Sequence, residues 1–213
     1  MTLPAYRTKR EVATDLLREA IIRGELAPGT RLVLEELSQR YNISMTPIRE
    51  AFSLLESEGL IAQSPHKGAV VTGLDREELL ELYAIRGAVE ELATLHGVPR
   101  LTEDDLAEMG RLLESLERFD GPRDGFLDID KQFHRVVYRA AGSQRWLETI
   151  ETLWRRSRRY MLASTSVGGA VASLHADHCE ILQACGEYDA ARAAAAIRAH
   201  LKRSEERLLC EWV

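Results

Sequence analysis

Asp130 and His134 stand four apart in the run DKQFH, a spacing that puts both side chains on one face of a helix. His175 and His178 are three apart further along, and His200 follows in another helical stretch. One carboxylate and several imidazoles from different helices can converge on a divalent metal, because helical bundles build such sites from side chains that face their interior. Zinc, the first choice, tolerates this mixed nitrogen and oxygen set, and nickel or manganese also suit it. By spacing alone, the same histidines also read as surface residues or as hydrogen-bonded core residues, since pairs at these intervals arise by chance.

The elements that must position these side chains lie in residues 74–213, where no strand-like alternation occurs. Helical periodicity predicts helices over Asp75–His96, Thr102–Phe119, Arg123–Ala140, Gln144–Ser164, Ala170–Cys185 and Tyr188–Trp212. Pro99, Gly121-Pro122, Gly142, Gly168-Gly169 and Gly186 fall in the breaks, as helix punctuation does. The expectation is an antiparallel bundle of six to seven helices. Arg155, Arg156, Arg158 and Arg159 form a basic run on one of them, read as a solvated face or as partners for acidic helices or an anionic ligand. Trp154, Tyr160 and Met161 are expected in the core or lining a cavity.

Residues 1–73 read differently. Arg10–Arg23 is an amphipathic helix closed by Gly24, a Pro28-Gly29 turn follows, and Leu32 and Leu34 suggest a short extended segment. Glu35–Arg40 predicts a second helix, Asn42 a turn, and a third helix runs to Glu58 with Thr46 as its cap and Pro47 in its first turn. Leu37, Ile43, Ile48, Phe52 and Leu55 supply one small core, which makes the pair a helix-turn-helix. Leu60–Gln63 and Ala69–Thr72 then form a hairpin whose tip carries His66, Lys67 and Gly68. The whole is a mainly α protein with an N-terminal winged helix-turn-helix. Such a unit reads the major groove with side chains at the start of its second helix, here Ser44, Met45, Thr46, Arg49 and Glu50. Arg49 is the foremost base or phosphate contact, since a guanidinium can meet guanine O6 and N7 with two donors. Arg31 is a candidate backbone contact, and the hairpin tip a candidate wing contact.

The net charge of −6 taken whole opposes nucleic acid, but it is unevenly distributed. Residues 1–73 carry 9 Lys and Arg against 9 Asp and Glu, and residues 74–213 carry 19 against 25. The negative balance therefore belongs to the helical part alone. A single helix-turn-helix covers little DNA, so a homodimer on a two-fold symmetric double-stranded operator is expected. Three cysteines confined to the last 35 residues fit no disulfide framework and read as reduced thiols. No apolar run approaches the roughly 20 residues that cross a bilayer, which points to a cytoplasmic protein without membrane contact.

The runs REAIIRGELAPGTRL, LSQRYNISMTPIREAFSLLESEGLI and SPHKGAVV resemble the winged-helix domain of the GntR family of bacterial transcriptional regulators, over residues 14–72. Met45 stands where that family usually has Arg. Residues 79–206 are similar to the FCD ligand-binding domain of its FadR-type branch, in the version that carries a metal. That likeness rests on LYAIRGAVEELA, on the Asp130–His134 run, on the Asp177–Leu182 run and on His200-Leu201. The resemblance implies Asp130, His134, His178 and His200 as metal ligands, with His175 outside the set. It also implies that Arg86 faces the carboxylate of a small organic acid, the alternative being a surface ion pair with Glu90. A ligand-responsive regulator and not an enzyme follows from it, although three histidines and an aspartate would also suit a catalytic metal.

Overall fold

The computed structural model describes residues 8–64, 68–121, 123–163 and 170–210. They form two compact units, Met1–Asp75 and Arg76–Val213.

In the first unit, α1 (Lys9–Ile22) starts at a capping box in which Thr8 and Glu11 satisfy each other's backbone N–H. It buries Ala13, Leu17 and Ala20. A two-residue strand β1 (Arg31–Leu32) leads into α2 (Leu34–Tyr41), so Leu34 opens the helix instead of extending the strand. Asn42 closes α2 at φ +52°, a left-handed conformation that a short polar side chain tolerates. The turn delivers α3 (Met45–Ser57), which starts after Ser44. The expected cap at Thr46 is thus displaced by two residues. Pro47 still sits in the first turn, where its missing N–H has no intrahelical acceptor to lose. Strands β2 (Ile61–Ser64) and β3 (Gly68–Val71) form the hairpin, and β1 adds antiparallel to β3 to give the order β1-β3-β2. Leu17, Leu37, Ile48, Phe52, Leu55, Ile61 and Val71 share one core. Arg18 grips Glu58 with Nε and Nη2 at 2.9 and 2.7 Å, tying α1 to the end of α3. This is a winged helix-turn-helix. Of the wing residues named above, His66 and Lys67 lie outside the described residues.

The second unit is a helical bundle of α4 (Arg76–Gly97), a 3-10 turn (Val98–Arg100), α5 (Glu103–Glu117), α6 (Arg123–Ala140), α7 (Gln144–Ala163), α8 (Ala170–Gly186) and α9 (Ala190–Cys210). α9 begins two residues later than periodicity predicts. Tyr188 is left-handed at φ +55°, and the Asp189 carboxylate accepts from the backbone N–H of Arg192 at 2.9 Å, a capping arrangement. α4 packs on α6, α7 and α9, which makes it the helix around which the site is assembled. The basic run on α7 divides. Arg158 pairs with Asp124 and Asp128 on α6, while Arg159 is buried against Glu78 and Tyr160.

Gly97 is where α4 meets α6 most closely. A Cβ there would stand 2.1 Å from the Val137 carbonyl oxygen, and a backbone atom cannot swing aside. Gly97→Ala should therefore force α4 and α6 apart and destabilise the bundle by about 1–3 kcal/mol, the usual cost of overpacking. Urea unfolding checks this; a midpoint equal to that of the natural chain would contradict it.

Candidate functional site

α6 carries Asp130 and His134 one turn apart, α8 carries His178 and α9 carries His200, and all four reach one point inside the bundle. One donor atom from each lies within 4.8 Å of the other three. His178 Nε2 stands 2.9 Å from Asp130 Oδ1 and 3.2 Å from His134 Nε2, and His134 Nε2 is 3.9 Å from Asp130 Oδ1. The three histidines are buried and Asp130 is half-buried. Phe133 closes the site from α6, edge-on to His134 and His178. Divalent metals bind such donors at about 2.0–2.2 Å, which spaces neighbouring donors roughly 3–4 Å apart. The donor set and its separations fit a metal. Two of the imidazole nitrogens, His134 Nε2 and His178 Nε2, stand 3.2 Å apart beside the carboxylate, and a cation can take an electron pair from each donor. His175 is outside the group, its Nε2 lying 3.4 Å from Cys179 Sγ.

The protonation states suit the same chemistry. Burial, reinforced by the fields of His200, His178 and Arg86, drives the His134 imidazolium well below its ordinary pKa despite the opposing pull of Asp130. Burial also lowers His200, with His178 adding to the effect and Asp177 and Asp130 resisting it. Burial works against the charge on Asp130, but the His178 hydrogen bond and the three imidazoles outweigh it and hold its carboxyl low. Neutral imidazoles and an ionised carboxylate are the forms that ligate metal. The same shifts set an acid limit on the fold. Below about pH 6.5 an unfolded histidine takes up a proton that buried His134 and His200 resist, and at lower pH an unfolded Asp does so before Asp130. Both signs agree, so the metal-free helical unit should lose stability as pH falls from about 6.5. Thermal unfolding between pH 8 and pH 5 checks this, and a melting temperature that rises toward acid would contradict it.

One turn of α4 borders the cluster with a buried polar network that periodicity left open. Arg86 is only 6% exposed and Glu90 only 1%, so the pair is not on the surface. Glu90 accepts from Arg86 Nε at 2.7 Å, from Tyr138 Oη at 2.8 Å and from Trp154 Nε1 at 3.2 Å. It thereby joins α4 to α6 and α7. The Tyr138 ring stacks on His134 with centroids 6.3 Å apart, and the Arg86 guanidinium lies 4.9 Å from the Tyr83 ring centroid. Two participants escaped the sequence reading. By spacing Glu90 reads only as a surface partner for Arg86, although it shares the buried stripe of Leu82, Arg86, Ala93 and Gly97. Asp177, next to His178, hydrogen-bonds His200 Nδ1 at 3.2 Å, and its carboxyl is held at about 2, because the hydrogen bonds from His200 and Arg203 overcome the penalty of burial.

In the winged helix, Ser44, Met45, Thr46 and Arg49 are all exposed at the start of α3, and Arg31 is exposed at the start of β1. Ser44 makes no side-chain cap. Arg31 lies beside Gly68, the residue that opens β3 at the loop end of the hairpin, its Nε 3.8 Å from where a Gly68 Cβ would stand. A helix N-terminus with exposed hydroxyls and a guanidinium is the arrangement that meets phosphates and base edges.

A winged helix joined to a helical bundle with a buried three-histidine, one-aspartate cluster defines the class of a DNA-binding regulator with a candidate metal site in its helical domain. Residues 9–71 match the bacterial regulatory proteins of the gntR family, and residues 81–203 match the FCD domain. An HTH-type transcriptional regulator from an unstable DNA locus of Streptomyces ambofaciens is 32% identical over 92% of this chain and 83% of its own length. The HTH-type regulator McbR of Escherichia coli is 32% identical over 68% of this chain and 66% of its own. Among solved structures, McbR/YncC of E. coli superposes with a TM-score of 0.75 at 22% identity, over 97% of this chain and 100% of that one. A GntR-family regulator from Pseudomonas syringae does so with a TM-score of 0.56 at 31% identity, over 97% and 86%. The chain belongs to the GntR family of transcriptional regulators and carries an FCD domain. Its biochemical class is therefore that of a DNA-binding regulator, not an enzyme. No described helix is long and apolar enough to cross a membrane.

Proposed function

We propose that this chain is a homodimeric, cytoplasmic regulator whose grip on a two-fold symmetric operator is modulated by a small organic acid, bound beside a divalent metal in the helical domain. The observation that carries this reading is the convergence of Asp130, His134, His178 and His200 on one point. These four residues hold the metal, zinc before nickel or manganese. When bound, the ion supplies positive charge and coordination positions beyond the four protein donors for a carboxylate oxygen.

Charge balance supports the organic acid. With neutral imidazoles, Asp130 and Glu90 bring two negative charges and Arg86 one positive, so the buried network is short of one positive charge. A divalent ion turns the deficit into a surplus of one, which one carboxylate neutralises. Arg86 gives its Nε to Glu90, and its Nη pair supplies charge-assisted hydrogen bonds to the acid. Effector binding should therefore require the metal.

On the DNA side, no hydrogen bond or ion pair engages Arg49 among the described residues. Its guanidinium is thus available for a base edge, with Ser44, Thr46, Arg31 and the wing residues His66, Lys67 and Gly68 placed on the backbone and Met45 offering an apolar contact to a thymine methyl. Arg49→Ala should weaken specific binding by about 1–3 kcal/mol and relax discrimination. Titrating operator and scrambled DNA against both proteins, with size in solution measured alongside, tests the reading. Unchanged discrimination would remove Arg49 from base reading, and a monomer at micromolar concentration with and without DNA would remove the symmetric operator.

A further inference from the structure

We propose that Asp177, gripped by Arg203, is a positioning residue that locks His200 in the one tautomer able to ligate a metal; this rests on the metal reading above. A neutral imidazole carries a single N–H, and an ionised carboxylate can only accept. Asp177 Oδ2 lies 3.2 Å from His200 Nδ1, so the proton belongs on Nδ1, which leaves the lone pair on Nε2 free to ligate. The carboxylate is itself fixed. Arg203 Nε donates to Oδ2 at 3.0 Å and Arg203 Nη2 to Oδ1 at 2.6 Å, a fork that sets the carboxylate plane. Asp177 and His200 are both buried, so water does not compete freely for this hydrogen bond.

His134 lacks such a device. His134 Nδ1 is buried with no partner among the described residues, so nothing comparable orients that ring. The same turn of α8 delivers both parts: consecutive helical residues diverge by about 100°, which lets His178 enter the cluster while Asp177 reaches across to α9. Partners that fix a ligand histidine in this way typically change metal affinity by about 10–100-fold when removed.

Zinc affinity, measured at fixed pH by competition with a chromophoric chelator, should fall by about 10–100-fold in Asp177→Asn and by less in Arg203→Met. Asparagine can present its NH2 group to Nδ1 and favour the wrong tautomer, as it does in serine-protease triads. Arg203 is half-exposed, so its replacement is compatible with folding even if that of Asp177 is not. Nitrogen-15 spectra of the imidazoles in the metal-free protein supply a readout that general destabilisation would not move: the His200 proton should reside on Nδ1 in the natural chain and shift toward Nε2 in Asp177→Asn. Wild-type zinc affinity in Asp177→Asn, while His200→Ala loses zinc, would overturn the proposal. So would a His200 proton on Nε2 in the natural chain. Failure of the natural chain to bind zinc would reject the metal reading instead, and the tautomer measurement would still decide the role of Asp177.

Discussion

Replacing Glu90 by Ala should destabilise the helical unit by about 3–5 kcal/mol, the cost of breaking a buried ion pair by removing one partner. Arg86 would be left as an almost fully buried cation without its carboxylate. Tyr138 Oη and Trp154 Nε1 would lose their shared acceptor as well, and each buried donor left unsatisfied costs about 1–3 kcal/mol on its own. These losses overlap and do not add, because one water entering the cavity can serve more than one donor. Glu90→Gln separates the contributions, since an amide oxygen still accepts from the phenol and the indole but leaves the arginine charge unbalanced. Replacing both members of the pair with apolar residues, Arg86→Met with Glu90→Leu, should cost much less than Glu90→Ala, because no uncompensated charge remains. Urea unfolding of the four proteins tests this. A loss below about 1 kcal/mol in Glu90→Ala would mean that the network contributes no more than a surface pair.

That network shows where a sequence stops being legible. The Asp130 and His134 pair could be read from spacing because four residues close one helical turn, whatever the rest of the protein does. His175 and His178 could not be told apart in this way, since residues three apart on α8 lie on neighbouring parts of the same face. The packing of α8 against α9 and α5 decides that His178 turns inward. Glu90 and Glu91 are adjacent and chemically identical, yet one is buried beneath Trp154 and the other pairs with Arg198 outside. Helical periodicity does distinguish them, as Glu90 continues the stripe of Leu82 and Arg86, but a carboxylate on an apolar stripe becomes intelligible only once its three donors from α4, α6 and α7 are in place. The winged helix was more legible because its signals are local: a glycine after α1, a left-handed asparagine, a proline in the first turn of α3. The same locality explains the small misplacements. Ser44 and Thr46 can each serve as a cap, and the choice between them depends on the angle at which the turn enters α3.

The largest effect on the sensing site should come from His134→Ala and His178→Ala, each of which removes a direct ligand and should lower metal affinity by more than the roughly 10–100-fold typical of outer-shell changes. Stability offers a second readout. An ion that binds only the folded state stabilises by about 2.7 kcal/mol at one hundred times its dissociation constant, so adding zinc should raise the unfolding temperature of the natural chain and leave the double histidine variant almost unmoved. Arg86→Ala separates metal from effector. Arg86 is a neighbour of the cluster and not one of its four donors, so its loss should spare metal uptake while weakening the binding of carboxylates. Chelation should do the reverse of sparing: without the divalent charge the buried network carries a surplus negative charge, and carboxylate binding should disappear together with the metal. Metal content by elemental analysis and carboxylate binding by calorimetry, measured separately on each protein, distinguish these outcomes. Full metal occupancy after loss of both histidines would place the ion elsewhere. Carboxylate binding that survives chelation would break the charge argument, because the pocket would then be accepting an anion against an unbalanced aspartate.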